Sequence, residues 1–241
     1  MKYWLALWLA LCFTVQAFAF IVDYTNGGFD RIFESNSSAQ SQGLVNGDRL
    51  VLQDCLTTGP RAFAQVSNST TTLRVGKDCI IHWLAQDHWK LYKGSVLFCL
   101  EDKSTFRISS TKGKCLVTGP CTFIAEATSN GGYKFICLSG KPTLTTGNTE
   151  TNIPSGRLVL VLGETNELGN SYDIDLLLLL KSSLLINAFE TPPPTIKKIG
   201  LAVYSQQLRI KNKYNALIGD APSDKNLQMW VPGKSDIKTT E

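Results

Sequence analysis

The chain has 241 residues, of which 43% are hydrophobic and 18% charged, enough for one domain of ordinary size with an appendage and too apolar for wholesale disorder. The formal net charge of +4 is too small for a dedicated nucleic-acid surface, and no nucleic-acid partner is expected.

The first twenty residues, MKYWLALWLALCFTVQAFAF, carry one Lys, an apolar run from Tyr3 to Val15, and Ala17-Phe18-Ala19, the small-x-small pattern that signal peptidase accepts. Residues 1–19 are therefore read as a secretory signal cleaved after Ala19, giving a periplasmic or secreted protein. The other reading is a retained anchor, for which the run is short. Leu11 is not the small residue that bacterial lipid attachment at Cys12 would want. No later stretch reaches transmembrane length, so no stable span is expected after cleavage.

Residues 20–43 read as an N-terminal extension. From 44 to 162 short apolar runs alternate with Gly and polar clusters, the punctuation of an all-β architecture. Between Thr71 and Gly76, Leu73 and Val75 point to one face while Thr72 and Arg74 point to the other. Cys55 to Pro60 reads CLTTGP, and sixty positions later Cys115 to Pro120 reads CLVTGP. In both copies Thr58-Gly59-Pro60 and Thr118-Gly119-Pro120 are expected to reverse the chain, since Pro fixes φ and Gly accepts positive φ. A strand-turn-strand unit that cannot close a core alone stacks on its neighbour. The fold class is therefore mainly β, a compact solenoid-like or sandwich-like stack of short strands.

Beyond Gly163 the composition changes. Ser171, Asp173 and Asp175 open IDLLLLLKSSLLINAF, a helix whose first turn favours acids. TPPPT at 191–195 breaks the chain. A second helix from Ile196 to Leu217 places Ile196, Ile199, Val203, Gln207, Ile210, Tyr214 and Leu217 at helical spacing. Its other faces carry Lys197, Lys198, Arg209, Lys211 and Lys213, which allow peripheral contact with anionic lipid or an acidic partner, although a solvated face is the simpler account. Residues 163–219 thus form a C-terminal helical pair, and 220–241 a polar tail.

Six cysteines remain after cleavage: Cys55, Cys79, Cys99, Cys115, Cys121 and Cys137. An even number in an oxidising compartment permits disulfides, whose connectivity the sequence leaves open. Equally, buried strand cysteines are small apolar core residues. Without a CxxC pair a zinc site is not expected, and no metal or cofactor is expected. His82 and His88 are the only histidines, with neither a GxSxG elbow nor a Cys-His signature beside them. Glu101, Asp102 or Glu126 with His82 would have to line one groove for carbohydrate-active chemistry. Gly47-Asp48-Arg49 and Ser155-Gly156-Arg157 lack the GxxxxGK[ST] order of a phosphate loop and read as turns. Asn36-Ser37-Ser38 and Asn68-Ser69-Thr70 are sequons. No catalytic residues are assigned, and the chain is read as non-enzymatic.

The succession LVNGDRL, CLTTGPRAFAQVSNSTTTLRVGKDC, LYKGSVLF and FRISSTKGKCLVTGPCTFIAEATSNGGYKFICLSGKPTL resembles the FecR-like domain, named for the ferric-citrate transport regulator. Gly47-Asp48, Thr58-Gly59, Gly94, Thr111, Gly113, Gly119-Pro120, Phe123 and Gly140 occupy that family's turn positions across residues 44–162. The resemblance implies an extracytoplasmic, β-rich, solenoid-like module that senses or binds another envelope protein or itself, in the manner of stand-alone secreted bacterial members. A structural role in the envelope or matrix is the alternative, with a carbohydrate-active enzyme behind it.

Overall fold

Short strands separated by Gly, Pro and Asn cannot bury both faces alone, so the chain lays them in two facing sheets. The computed structural model describes residues 19–210 other than 36, 37, 103, 104, 148 and 164. Residues 1–18 of the expected signal 1–19, the sequon residues Asn36 and Ser37, residues 211–217 of the expected second helix, and the expected polar tail lie outside the described residues. The first sheet runs β1 (Ile21–Asn26), β5 (Phe63–Ser67), β6 (Thr71–Val75), β9 (Ser95–Leu100), β12 (Cys121–Ala127), β13 (Tyr133–Gly140), β16 (Arg157–Val161) and β17 (Leu168–Asp173). The second runs β15 (Thr149–Asn152), β14 (Thr143–Thr146), β11 (Lys114–Thr118), β10 (Thr105–Ser109), β8 (His88–Lys93), β7 (Ile80–Ala85), β4 (Cys55–Thr58), β2 (Phe29–Ser35) and β3 (Ser38–Gly43). Neighbours pair antiparallel, except that β8 and β10 are parallel.

The order explains the solenoid-like pattern of the sequence. From β4 onward the chain alternates between sheets, usually two strands at a time, so each segment stacks on the one before it. Alternating side chains fill the space between the sheets. Phe98, Phe123 and Phe135 stack with centroids 4.9 and 4.5 Å apart along the first sheet, and Phe106 from the second meets Phe98 at 5.3 Å. Trp83 and Trp89 stack across the β7–β8 pair at 5.7 Å, with Phe20 edge-on to both.

The outer face of the first sheet is roofed by α1 (Leu176–Ser182), α2 (Leu184–Asn187) and α3 (Ile196–Ile210). Leu97, Cys99, Ile124, Ile136, Leu138 and Leu158 pack there against Leu176, Leu179, Leu185, Ile199 and Val203 in a second core. Burial on both faces is why β9, β12 and β13 read as nearly continuous apolar runs. Gln206 fastens α3: its Nε2 donates to the carbonyls of Gly156 and Ile174, and its Oε1 accepts from Leu176 N at 3.0 Å.

Three expectations change. Residues 20–43 are not an extension: β1 joins the first sheet, β2 and β3 join the second, and Phe20, Val22 and Phe29 lie in the core between them. The helical region does not begin at 163, because β17 pairs with β16 and Asp173 binds Arg157 at 2.8 Å instead of opening a helix. Asp175 does open one, accepting from Leu178 N at 2.9 Å as N-cap. Arg74 points away from the sandwich core as expected, but into the second core rather than into solvent.

Candidate functional site

The twin hexamers are corners between sheets. Thr58 ends β4 in the second sheet and the chain re-enters as β5 in the first; Thr118 ends β11 and the chain re-enters as β12. The expected reversal is therefore a crossing from one sheet to the other. The copies differ in detail. Thr58 is buried, its hydroxyl donating to the Gly76 carbonyl at 2.5 Å and accepting from Cys79 N at 3.0 Å. Thr118 is half-buried, with its hydroxyl 3.5 Å from that of Thr105. Gly119 stands at φ +104°, where a side chain is strained. Pro60 and Pro120 are exposed.

Among the described residues the six cysteines are free thiols; Cys55 is half-buried and the other five are buried. Burial pushes Cys115 and Cys121 up to about 12 and raises Cys55, Cys79, Cys99 and Cys137 as well. A thiol that stays protonated and enclosed reacts slowly. Brief alkylation of the folded chain cleaved after Ala19 is expected to label Cys55 first among its six cysteines, and alkylation in denaturant all six, as counted by intact mass. Fewer than six labels after non-reducing denaturation would mean disulfides.

The candidate acid-base residues stay apart. His82 lies on β7 in the second sheet, its Nε2 3.0 Å from the Gln53 carbonyl, while His88 Nε2 lies 2.9 Å from Ser109 Oγ. Glu126 belongs to β12 in the first sheet and binds Lys134 at 3.0 Å. Glu101 and Asp102 follow the far end of β9, whereas Glu126 pairs with Ser95 at its start. Asp48 Oδ2 accepts from Val45 N at 2.9 Å within a turn, and Ser155 Oγ donates to the Gly140 carbonyl at the end of β13 at 2.8 Å. Asn68 Oδ1 caps Thr70 N and Thr71 N, so that sequon sits in a tight turn. Among the described residues no group of three metal-ligating side chains converges.

One site was not anticipated. At the end of the first sheet where β9 begins and β12 ends, a cleft of about 680 Å³ opens beside α1 and α2. Its floor is aliphatic: Ile124, Ile136, Leu179 and Leu185 are all at most 3% exposed. Its rim is cationic, because Lys77 and Lys112 arrive from two separate turns and Lys93 from the end of β8, and all three are exposed. No ion pair among the described residues engages them. Of the two acids lining the cleft, Asp78 and Glu126, the second is held by the wholly buried Lys134.

These turns are tied to one another. Gly76 N donates to the Ser95 carbonyl at 2.9 Å, and Ala127 N to that of Gly94 at 3.0 Å. Lys112 N and Ser110 Oγ both donate to the Gly131 carbonyl, at 2.8 and 2.7 Å. Gly94, at φ +83°, lets the bend after Lys93 press on Cys79, since a Cβ there would stand 2.7 Å from the Cys79 Cα. The rim lysines are thus carried on rigid corners. The signal in the sequence is a recurring Gly-Lys or Lys-Gly pair, Gly76-Lys77, Lys93-Gly94 and Lys112-Gly113.

Elsewhere on the surface, Leu201, Tyr204 and Leu208 form an exposed row on α3, and Lys197 and Lys198 are exposed at its start. No described helix is long and apolar enough to cross a membrane.

No protein-family model matches the chain, and no curated protein matches it. Similar solved structures include two crystal structures of Parabacteroides distasonis proteins described as anti-sigma factors. They are 11% and 12% identical to this chain, with TM-scores of 0.40 and 0.41. The matches cover 48% and 51% of this chain and 58% and 60% of those proteins, so the chain spans less than two thirds of their length.

Proposed function

We propose that the protein is a non-enzymatic binding module of the bacterial envelope, a FecR-like domain that is secreted or periplasmic and receives a partner protein in the cleft between the β9 end of the first sheet and the α1–α2 roof. The observation that carries this reading is the cleft itself: an aliphatic floor, three exposed ammonium groups and a set of turns locked by hydrogen bonds. Such a mixture suits recognition, with apolar surface supplying affinity and charges fixing orientation. The order of Gly-bounded strands in residues 44–162 supports the family, and the apolar run with Ala17-Phe18-Ala19 supports export.

The test places a photoreactive phenylalanine analogue at Tyr92, which lines the cleft and is 40% exposed, in the full chain expressed in its own cells. Irradiation is expected to give one discrete hetero-adduct whose cross-linked peptide maps to a single partner. The same probe at Arg107, exposed on the second sheet, should give none. Adducts between copies of this chain alone, or no adduct, would overturn the reading, self-adducts favouring a structural envelope protein.

A further inference from the structure

We infer that the segment this cleft receives is an acidic, extended peptide of the partner protein, with carboxylates facing Lys77, Lys93 and Lys112 and one aliphatic side chain packed against Leu184 and Tyr92. The inference rests on the proposed binding role and adds the chemistry of the ligand. Charge gives the first half of the argument. Three lysines with no ion pair among the described residues stand against Asp78, while Glu126 is compensated by Lys134. The rim is therefore a cationic surface in search of anions, and complementarity of this kind steers and orients a partner.

The lining gives the second half. The apolar atoms open to a ligand belong to Leu184 and Tyr92, each 40% exposed, set over a packed bed of Ile124, Ile136, Leu179 and Leu185. A bilayer presents a broad front that rests on a rim and does not enter a cleft. A sugar ring favours an aromatic platform; Phe63 and Tyr92 stand at the side of the cleft, and Tyr92 already has the Lys90 ammonium 4.7 Å from its ring. A single aliphatic side chain on a narrow backbone fits both the cleft and its lining. The hydroxyls and amides along the wall, from Ser95, Thr111, Thr128 and Asn130, offer hydrogen bonds to a peptide backbone.

The experiment measures fluorescence anisotropy of labelled peptides with the purified full chain. The probe is an acidic peptide with a central leucine; its counterparts carry lysines in place of the acids, or serine in place of the leucine. The acidic leucine probe is expected to bind, the lysine counterpart not to bind, and the serine counterpart to bind about tenfold more weakly, as the loss of one buried aliphatic side chain implies. Raising salt from about 50 to about 500 mM should weaken binding about tenfold, since exposed charges are screened. The K77E/K93E/K112E variant should abolish binding and K77Q/K93Q/K112Q should weaken it. All three lysines are exposed, and an unchanged circular dichroism spectrum and thermal midpoint identify folded variants.

Equal binding of the basic peptide, or full binding by the folded charge-reversed protein, overturns the inference. So does a preference for phosphatidylglycerol vesicles or a polyuronate over the peptide. A Tyr92 photo-adduct that survives charge reversal would keep the cleft as the docking site and discard only the acidic ligand. Loss of the adduct in the unmodified protein would instead discard the binding role itself.

Discussion

Arg74→Met is expected to lower the thermal midpoint by roughly 6–12 °C, the equivalent of about 3 kcal/mol in a domain of this size. Arg74 leaves β6 on the outer face of the first sheet and is fully buried. Its Nε donates to Gln65 Oε1 at 2.8 Å, one terminal nitrogen to the carbonyls of Leu185 and Ile186 at 3.3 and 3.2 Å, and the other to that of Thr191 at 2.5 Å. The guanidinium carbon also lies 4.3 Å from the centre of the Phe189 ring. Burial draws its pKa down to about 10, which leaves the group charged at neutral pH.

Removing a buried charge can be neutral when its partners leave with it. Here they stay. Methionine would fill the volume and leave carbonyls of Leu185 and Ile186 without a donor, in residues only 2% and 7% exposed. Arg74→Lys should rescue little, because one ammonium cannot span carbonyls on both sides of the Phe189 turn or stack on its ring. Calorimetry gives the midpoint, and hydrogen exchange should show faster opening across 184–195 than in β12 or β13. A midpoint shift under about 2 °C would mean that the roof holds without this contact.

Gly140→Ala should cost about 3 kcal/mol or more, by two separable routes. Gly140 closes β13 at φ +91°, where an alanine is strained by about 1–3 kcal/mol. A Cβ there would also stand 2.5 Å from the Pro120 carbonyl oxygen and 3.1 Å from the Cys121 Cα, backbone atoms of the second corner that cannot swing aside. Overpacking of that kind adds about 1–3 kcal/mol. Gly119→Ala is the internal control: its φ is +104°, yet a Cβ there meets nothing within 4 Å. Denaturant unfolding should therefore rank Gly140→Ala well below Gly119→Ala in stability. Equal losses would remove close approach as the reason for glycine at position 140.

How legible this was depended on what each residue reports. Gly-bounded apolar runs from Leu73 to Leu144 announce strands, and Asp175 announces a helix start, because turn and cap chemistry is local. Ser38–Gly43, reading SAQSQG, has no apolar alternation, and its strand depends on the neighbouring β2, which no local pattern reports. Asp173 sits in a sequence that suits a helix N-terminus, yet Arg157 claims it from the neighbouring strand β16. Alternation separates the two faces of β6 but does not say whether the second face is roofed, so Arg74 looks like a solvent residue until α2 is placed. The cleft is harder still: Lys77, Lys93 and Lys112 converge only because two turns and the end of β8 stack at one end of the sandwich. Their adjacent glycines, the one local trace, are also what any turn would contain.

The contacts of Arg74 also set a clock on how the molecule is made. Its carbonyl partners lie 111, 112 and 117 positions later in the chain. At synthesis rates of about 5–20 residues per second they follow it by on the order of ten seconds. The last strand ends at Asp173, so a sandwich can close ahead of the helices, leaving the outer face of the first sheet, with Leu97, Ile124, Ile136 and an unmated guanidinium, without cover. Wherever the chain folds, the sheet has a sticky outer face until the helices dock on it.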